Sequence, residues 1–180
     1  MKQDFPFSRP IEVGAIGEGG RTERIVATEA ECAAIAAENG LVAVGRFAAD
    51  VDLRRLGGGL ISLDGRLHSD VVQTCVVSLE PVPQKIDHAF RMSFAMAGSD
   101  AASPAPRPGA EVLVDPDSDQ PDLLEGTTID LGAVLLEQFS LALDPYPRAP
   151  GAALPADVAP SGDRPESPFA ALAALKTPRS

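Results

Sequence analysis

Two cysteines, two histidines, a run of aspartates and five arginines are the residues of this chain whose types and spacing offer chemistry. Cys75-Val76-Val77-Ser78-Leu79-Glu80-Pro81 has the outline of a Cys-x-x-Cys turn with Ser78 at the second thiol. Zinc takes about four sulfur or imidazole ligands in a compact tetrahedron. Cys32, Cys75, His68 and His88 lack the paired short spacings of such a site, so no metal and no cofactor is expected. An imidazole beside Cys75 would make a thiolate nucleophile. The alternating phase of the segment turns His68 away from it, however, and no oxyanion-stabilising segment is evident. Asp115, Asp117, Asp119 and Asp122 would offer hard oxygen ligands, but the stretch lacks the ordered spacing, central glycine and terminal Glu of a calcium loop. A solvated acidic loop is the reading it supports, and a magnesium-dependent nuclease would also need water activation and substrate positioning. No catalytic residue is therefore assigned. Arg46, Arg54, Arg55, Arg66 and Arg91 are the candidates for an RNA-facing group if strand pairing gathers them on one surface. Arginine clamps phosphate and stacks on bases, but no aromatic-rich motif is interleaved with these five and acids are, which makes solvated strand-face charge the plainer reading.

The elements that must position these residues follow from periodicity. A short strand is expected at Phe7 to Val13, then a helix from Glu29 to Asn39. Thr28 and Glu31 form a capping-box pattern, and Gly40 supplies a left-handed stop. Cys32, Ile35 and Ala36 share one helix face, so Cys32 reads as a small buried hydrophobe. From Leu41 to Met96 the pattern alternates. Leu41 to Phe47 and Ala49 to Leu56 read as strand segments, Gly57-Gly58-Gly59 as a turn, and Leu60 to Leu63 as a strand leading to Asp64-Gly65. Leu67, Val71, Cys75, Val77 and Leu79 then point one way along a half-buried strand. Glu80-Pro81-Val82-Pro83 is expected to interrupt its ladder, after which Ile86, His88, Phe90, Met92, Phe94 and Met96 share a face. Two alternating runs around a short turn imply an antiparallel pair whose apolar face needs a covering layer. Residues 98–109 read as a linker and Glu111 to Val114 as a short strand. Asp130 is a plausible cap for a second helix from Leu131 to Leu141, buried through Leu131, Val134, Leu135 and Phe139, with Glu137 and Gln138 needing solvent or polar partners. The fold expected is α+β: an antiparallel sheet covered by two main helices, a highly curved or partly closed sheet being one form of it.

The domain reading is one α+β unit over residues 1–147 with an internal loop at 98–109, and a flexible acidic tail over 148–180 in which Phe169 to Leu175 has the pattern of a short helix. Net charge is −11, which keeps the chain soluble and repels bare phosphate, so no DNA partner is expected. Residues 1–110 carry 11 Lys and Arg against 14 Asp and Glu, whereas residues 111–180 carry 4 against 12. Any RNA contact belongs to the first part. The first ten residues hold no apolar signal core and no apolar run approaches about 18 residues, so cytoplasmic residence without a membrane partner is expected. Two isolated cysteines fit a reducing compartment.

Val72-Gln-Thr-Cys-Val-Val-Ser-Leu-Glu-Pro-Val82, followed by Ile86 and Phe90, and later Ile129-Asp-Leu-Gly-Ala-Val-Leu-Leu-Glu-Gln-Phe-Ser-Leu-Ala-Leu-Asp-Pro145, resemble the bacterial YceD family of large ribosomal RNA subunit accumulation proteins. The likeness runs over roughly residues 8–176, in the manner of alphaproteobacterial members, and the terminal Ser167 to Lys176 resembles the family's last segment. Gly65, Gln73, Cys75, Glu80, Pro81 and Phe90 match its early motif, and Asp130, Leu131, Glu137, Gln138 and Leu141 its later one. Many relatives have two cysteine pairs suited to a metal. Here Ser78 stands at the second early position and no cysteine follows Pro145, so zinc is not carried over. The resemblance implies a role in 23S ribosomal RNA accumulation or processing and large-subunit assembly. The expected protein is a noncatalytic factor acting through a basic ribosomal protein or precursor particle, with RNA contact direct or indirect. A general acidic adaptor or chaperone for a basic protein is the alternative. Glu80 and Gln73 are expected to support the turn, and Glu137 or Gln138 to form either helix surface or a partner-binding strip.

Overall fold

The computed structural model describes residues 7–102 and 120–153. Their elements run β1 (Pro10–Glu12), β2 (Arg21–Val26), α1 (Glu29–Glu38), β3 (Ala43–Arg55), β4 (Leu60–Thr74), β5 (Pro81–Met96), β6 (Asp122–Leu124), β7 (Thr128–Asp130) and α2 (Leu131–Ala142). The fold is α+β, with α1 packed on β3 and α2 on β5. Five strands form one sheet in the order β2-β3-β4-β5-β6, and β1 pairs with β7 in a separate two-stranded sheet. The expected antiparallel sheet is in fact mixed, because β6 joins β5 in parallel over Phe94 to Met96. Closure is not seen: β2 and β6 stand at opposite ends of the order.

Alternation decides which side of this sheet is core. Phe47, Ala49, Val51 and Leu53 on β3, and Ile61, Leu63, Leu67 and Val71 on β4, are buried on the inner face. Cys32, Ile35 and Ala36 of α1 and Leu131, Leu135 and Phe139 of α2 close over them. The Phe47 ring meets Phe7 on one side and Phe139 on the other, both edge-to-face at 5.3 Å. Each such aromatic contact adds about 0.5–1.5 kcal/mol to the burial itself. α1 starts with the capping box of Thr28 and Glu31 and ends before Gly40 at φ 63°, as its residues suggest. Arg9 reaches from the start of β1 to Glu31 at 2.8 Å and lies over the Phe7 ring, so the cap of α1 also holds the entering chain.

Several elements depart from the sequence reading. The first strand is only Pro10–Glu12 and passes into a short 3-10 turn at Val13–Ala15. β2 had no counterpart: only Ile25 of its six residues is buried, so no alternating apolar signal marks it. The two segments expected over residues 41–56 are one strand, β3, with a register shift between Val44 and Arg46. Ser69 donates to the Arg46 carbonyl beside that bulge at 2.6 Å. The strand expected over Leu60 to Leu63 does not stop at Asp64-Gly65, since β4 runs unbroken from Leu60 to Thr74. β4 ends one residue before Cys75, so Val77 and Leu79 lie in the turn and do not extend its apolar face. Pro81 and Pro83 do not interrupt the ladder but open β5 within it. Cys75 donates its amide to the Glu80 carbonyl, so antiparallel alternation aims the nitrogens of residues 81 and 83 away from β4, where β6 does not reach. A proline there forfeits no ladder bond. Asp122, assigned to the acidic loop, begins β6. The strand expected at Glu111 to Val114, Asp115 to Asp119, and the helix expected at Phe169 to Leu175 lie outside the described residues.

Candidate functional site

The early motif residues assemble a turn and what hangs from it. Gly65 sits opposite Phe90 across β4 and β5, and the Phe90 ring covers it so closely that a Cβ at position 65 would enter the ring. Cys75 is buried and its thiol collects three backbone amides: Val77 at 3.4 Å, Ser78 at 3.3 Å and Ala149 at 3.3 Å. Hydrogen bonding from the Ser78 side chain, then from the Ser78 and Ala149 amides, holds this thiol down to about 6, against burial, which raises it. The Ser78 hydroxyl also meets Glu80 Oε2 at 3.1 Å. Leu79 completes the turn at φ 61°, the left-handed region that costs a leucine roughly 1–2 kcal/mol, and is 76% exposed.

The chain leaving α2 is stapled to this turn. Gln73 Nε2 donates to the Asp144 carbonyl at 3.0 Å, and the Val76 amide donates to the Pro147 carbonyl at 2.9 Å. The Asp144 carbonyl only accepts, which fixes the Gln73 amide and leaves its Oε1 buried with no partner among the described residues. Gln73, Cys75 and Val76 thus join the β4–β5 connection to residues 144–149, while Glu80 bonds within the turn, to the Cys75 amide and the Ser78 hydroxyl. Cys32, by contrast, lies on the buried face of α1, where burial and then Glu31 raise its thiol; both cysteines are free.

The later motif divides in two. Asp130 Oδ1 accepts from the Gly132 amide at 2.9 Å, the Ala133 amide at 3.4 Å and the Arg9 amide at 2.7 Å, while Oδ2 accepts from Ser8 at 2.6 Å. One carboxylate caps α2 and ties it to the chain entering β1. Gly132 permits the approach, because a Cβ there would collide with the Phe7 carbonyl. Leu131 is fully buried. Gln138, expected to need a polar partner, is buried and finds one: its Oε1 lies 3.3 Å from His88 Nε2 and its Nε2 3.6 Å from Met92 Sδ. An amide oxygen only accepts, so the proton of that contact sits on His88 Nε2. Glu137 and Leu141 remain outside the fold's internal contacts, both exposed and one helical turn apart on α2.

Arg46, Arg54, Arg66 and Arg91 share the outer face of the sheet, and Arg55 ends β3 exposed on the inward phase. Acids alternate with them. Arg66 holds Asp87 by two hydrogen bonds of 2.7 Å, which lowers that carboxyl, Arg91 pairs with Asp64, and Arg46 faces Asp70 in register. The result is a lattice of mixed sign. Among the described residues no group of three or more His, Cys, Asp and Glu is placed to hold a metal ion, and no helix is long and apolar enough to cross a membrane.

The family model described as large ribosomal RNA subunit accumulation protein YceD matches residues 63–176, and the chain belongs to that family. No curated protein and no solved structure matches it. The matched span begins within β4 and takes in the turn, β5 and α2, so both motifs lie inside it.

Proposed function

We propose that this chain is a noncatalytic factor supporting 23S ribosomal RNA accumulation and large ribosomal subunit assembly, acting through a basic ribosomal protein or a precursor particle. Membership of the YceD family carries this reading. Two features of the molecule support it. The residues with chemical potential, Cys75, His68 and His88, are taken up separately by an amide-lined turn, a contact with Asp87 and a contact with Gln138. Net charge of −11 favours encounter with a basic protein over bare RNA. The chain represents a branch of the family without the cysteine pairs, held by packing and hydrogen bonds where relatives have room for a metal. Its site of action is the cytoplasm.

Crosslinked affinity purification from gently lysed cells tests this, with half of each sample nuclease-treated and both protein and RNA quantified. Enrichment of precursor 23S RNA with large-subunit proteins is expected, with one protein contact surviving nuclease. Absence of large-subunit components, where a known assembly factor recovers them, overturns the reading and favours a general acidic adaptor.

A further inference from the structure

The helical layer carries charge that the fold does not use. α1 and α2 contain Glu29, Glu31, Glu38 and Glu137 and no Lys or Arg. Glu29 and Glu31 sit in the first turn of α1, where a carboxylate complements the helix dipole, and Glu31 also binds Thr28 and Arg9. Glu38 is the last residue of α1, where the dipole is negative and disfavours another negative charge, and no basic residue stands in that turn. Neither Glu38 nor Glu137 makes an ion pair among the described residues. The two line one groove of about 390 Å³ between the helices, with Val134 and Leu136 giving it an apolar wall and Asn39 and Ser140 closing it through a 3.0 Å hydrogen bond. Leu141, four residues after Glu137 on the same face, is 71% exposed.

We propose that this groove docks a short basic segment of a partner protein, one Lys or Arg lying between Glu38 and Glu137 and a neighbouring apolar side chain resting on Leu141 and the groove wall. Two carboxylates with no ion pair among the described residues repel phosphate, so the charge selects a basic polypeptide and not RNA. A cation there also supplies the positive charge that the C-terminal turn of α1 lacks. The inference rests on the reading of the chain as a protein-binding assembly factor and gives that reading a surface.

The test uses the full chain and, as probe, RNA-free total protein extracted from purified large ribosomal subunits. A photo-crosslinking benzoylphenylalanine is placed at Ala133, which lines the groove, or at Ala89, on the outer sheet face. Crosslinks to a basic protein are expected from Ala133 and not from Ala89. The double variant Glu38→Lys/Glu137→Lys is expected to weaken binding of that protein at least tenfold while its thermal midpoint stays at or above that of the parent. Glu38→Gln/Glu137→Gln is expected to fall between. Unchanged affinity of the charge-reversed variant, or equal crosslinking from Ala89, overturns the groove and leaves the assembly reading standing. If the parent chain retains no large-subunit protein while a control assembly factor does, the groove and the proposed partner class fall together.

Discussion

The space that a Cβ at position 65 would fill belongs to the Phe90 ring, so Gly65→Ala must displace an aromatic side chain within a paired ladder. It is expected to cost about 1–3 kcal/mol in urea denaturation, and to cost less when Phe90 is already Ala, the two being in contact. Strict additivity of the two changes would show that the ring does not set the requirement. Cys75 makes a prediction in pH. Its folded-state value, about 6 against the usual 9.0, means that the thiolate is favoured in the native state. That contribution is complete above the unfolded value, declines as pH falls from about 9 to 6, and is gone below it. The stability difference between the parent and Cys75→Ala should therefore widen from pH 6 to pH 9, read as urea midpoints at each pH; a difference flat across that window refutes the assignment. Sequence marked both positions as members of a motif but carried the strand before Gly65 only to Leu63. A glycine signals conformational freedom in the sequence, and only cross-strand register reveals that the requirement here is room for a ring.

At the scale of elements, the capping residues were legible and the strand boundaries less so. Thr28 with Glu31 and Asp130 before an apolar run are local signals, since a cap is made by side chains within three residues of the backbone they satisfy. Asp130 does more than the local pattern shows, because it also receives Arg9 and Ser8 from the far end of the chain. Asp130→Ala is expected to destabilise by about 2 kcal/mol, the upper end for a helix cap, and to speed hydrogen exchange at Ile11 and Val13 as β1 loosens. Loss confined to α2 amides would reduce it to a cap alone. Glu38→Lys acts in the opposite direction: reversing charge at the C-terminal end of α1 should stabilise the protein by about 0.3–1 kcal/mol at low salt, and the gain should shrink in 0.5 M NaCl. A destabilised variant would mean that Glu38 has a role inside the fold. β2 and the two prolines of β5 were missed or misread because edge position is a property of the assembled sheet. An edge strand needs little apolar alternation, and proline is tolerated where no neighbour awaits its amide.

Among the described residues the charges are separated. The outer sheet face alternates arginines with acids in register, whereas the two helices carry carboxylates alone. A net charge of −11 predicts that association with a basic large-subunit protein is steered electrostatically. Raising NaCl from 0.05 to 0.5 M should slow association about tenfold or more by stopped-flow mixing, with a smaller change in dissociation. An on-rate indifferent to salt would point to an apolar contact centred elsewhere.

The sequence by itself determined the α+β class, both helices and their caps, the long β4–β5 pair, the acidic balance and the family motifs, because each is written in local periodicity, local hydrogen bonding or composition. Tertiary structure decided which motif residues are spent on the fold. Gln73 and Cys75 grip the segment after α2, Gln138 meets His88 of β5, Glu137 is left at the surface beside Glu38, and Leu141 is left exposed. Those outcomes depend on contacts between residues tens of positions apart. Neighbouring residues such as Glu137 and Gln138 look alike along the chain and part only when the helix turns one of them inward.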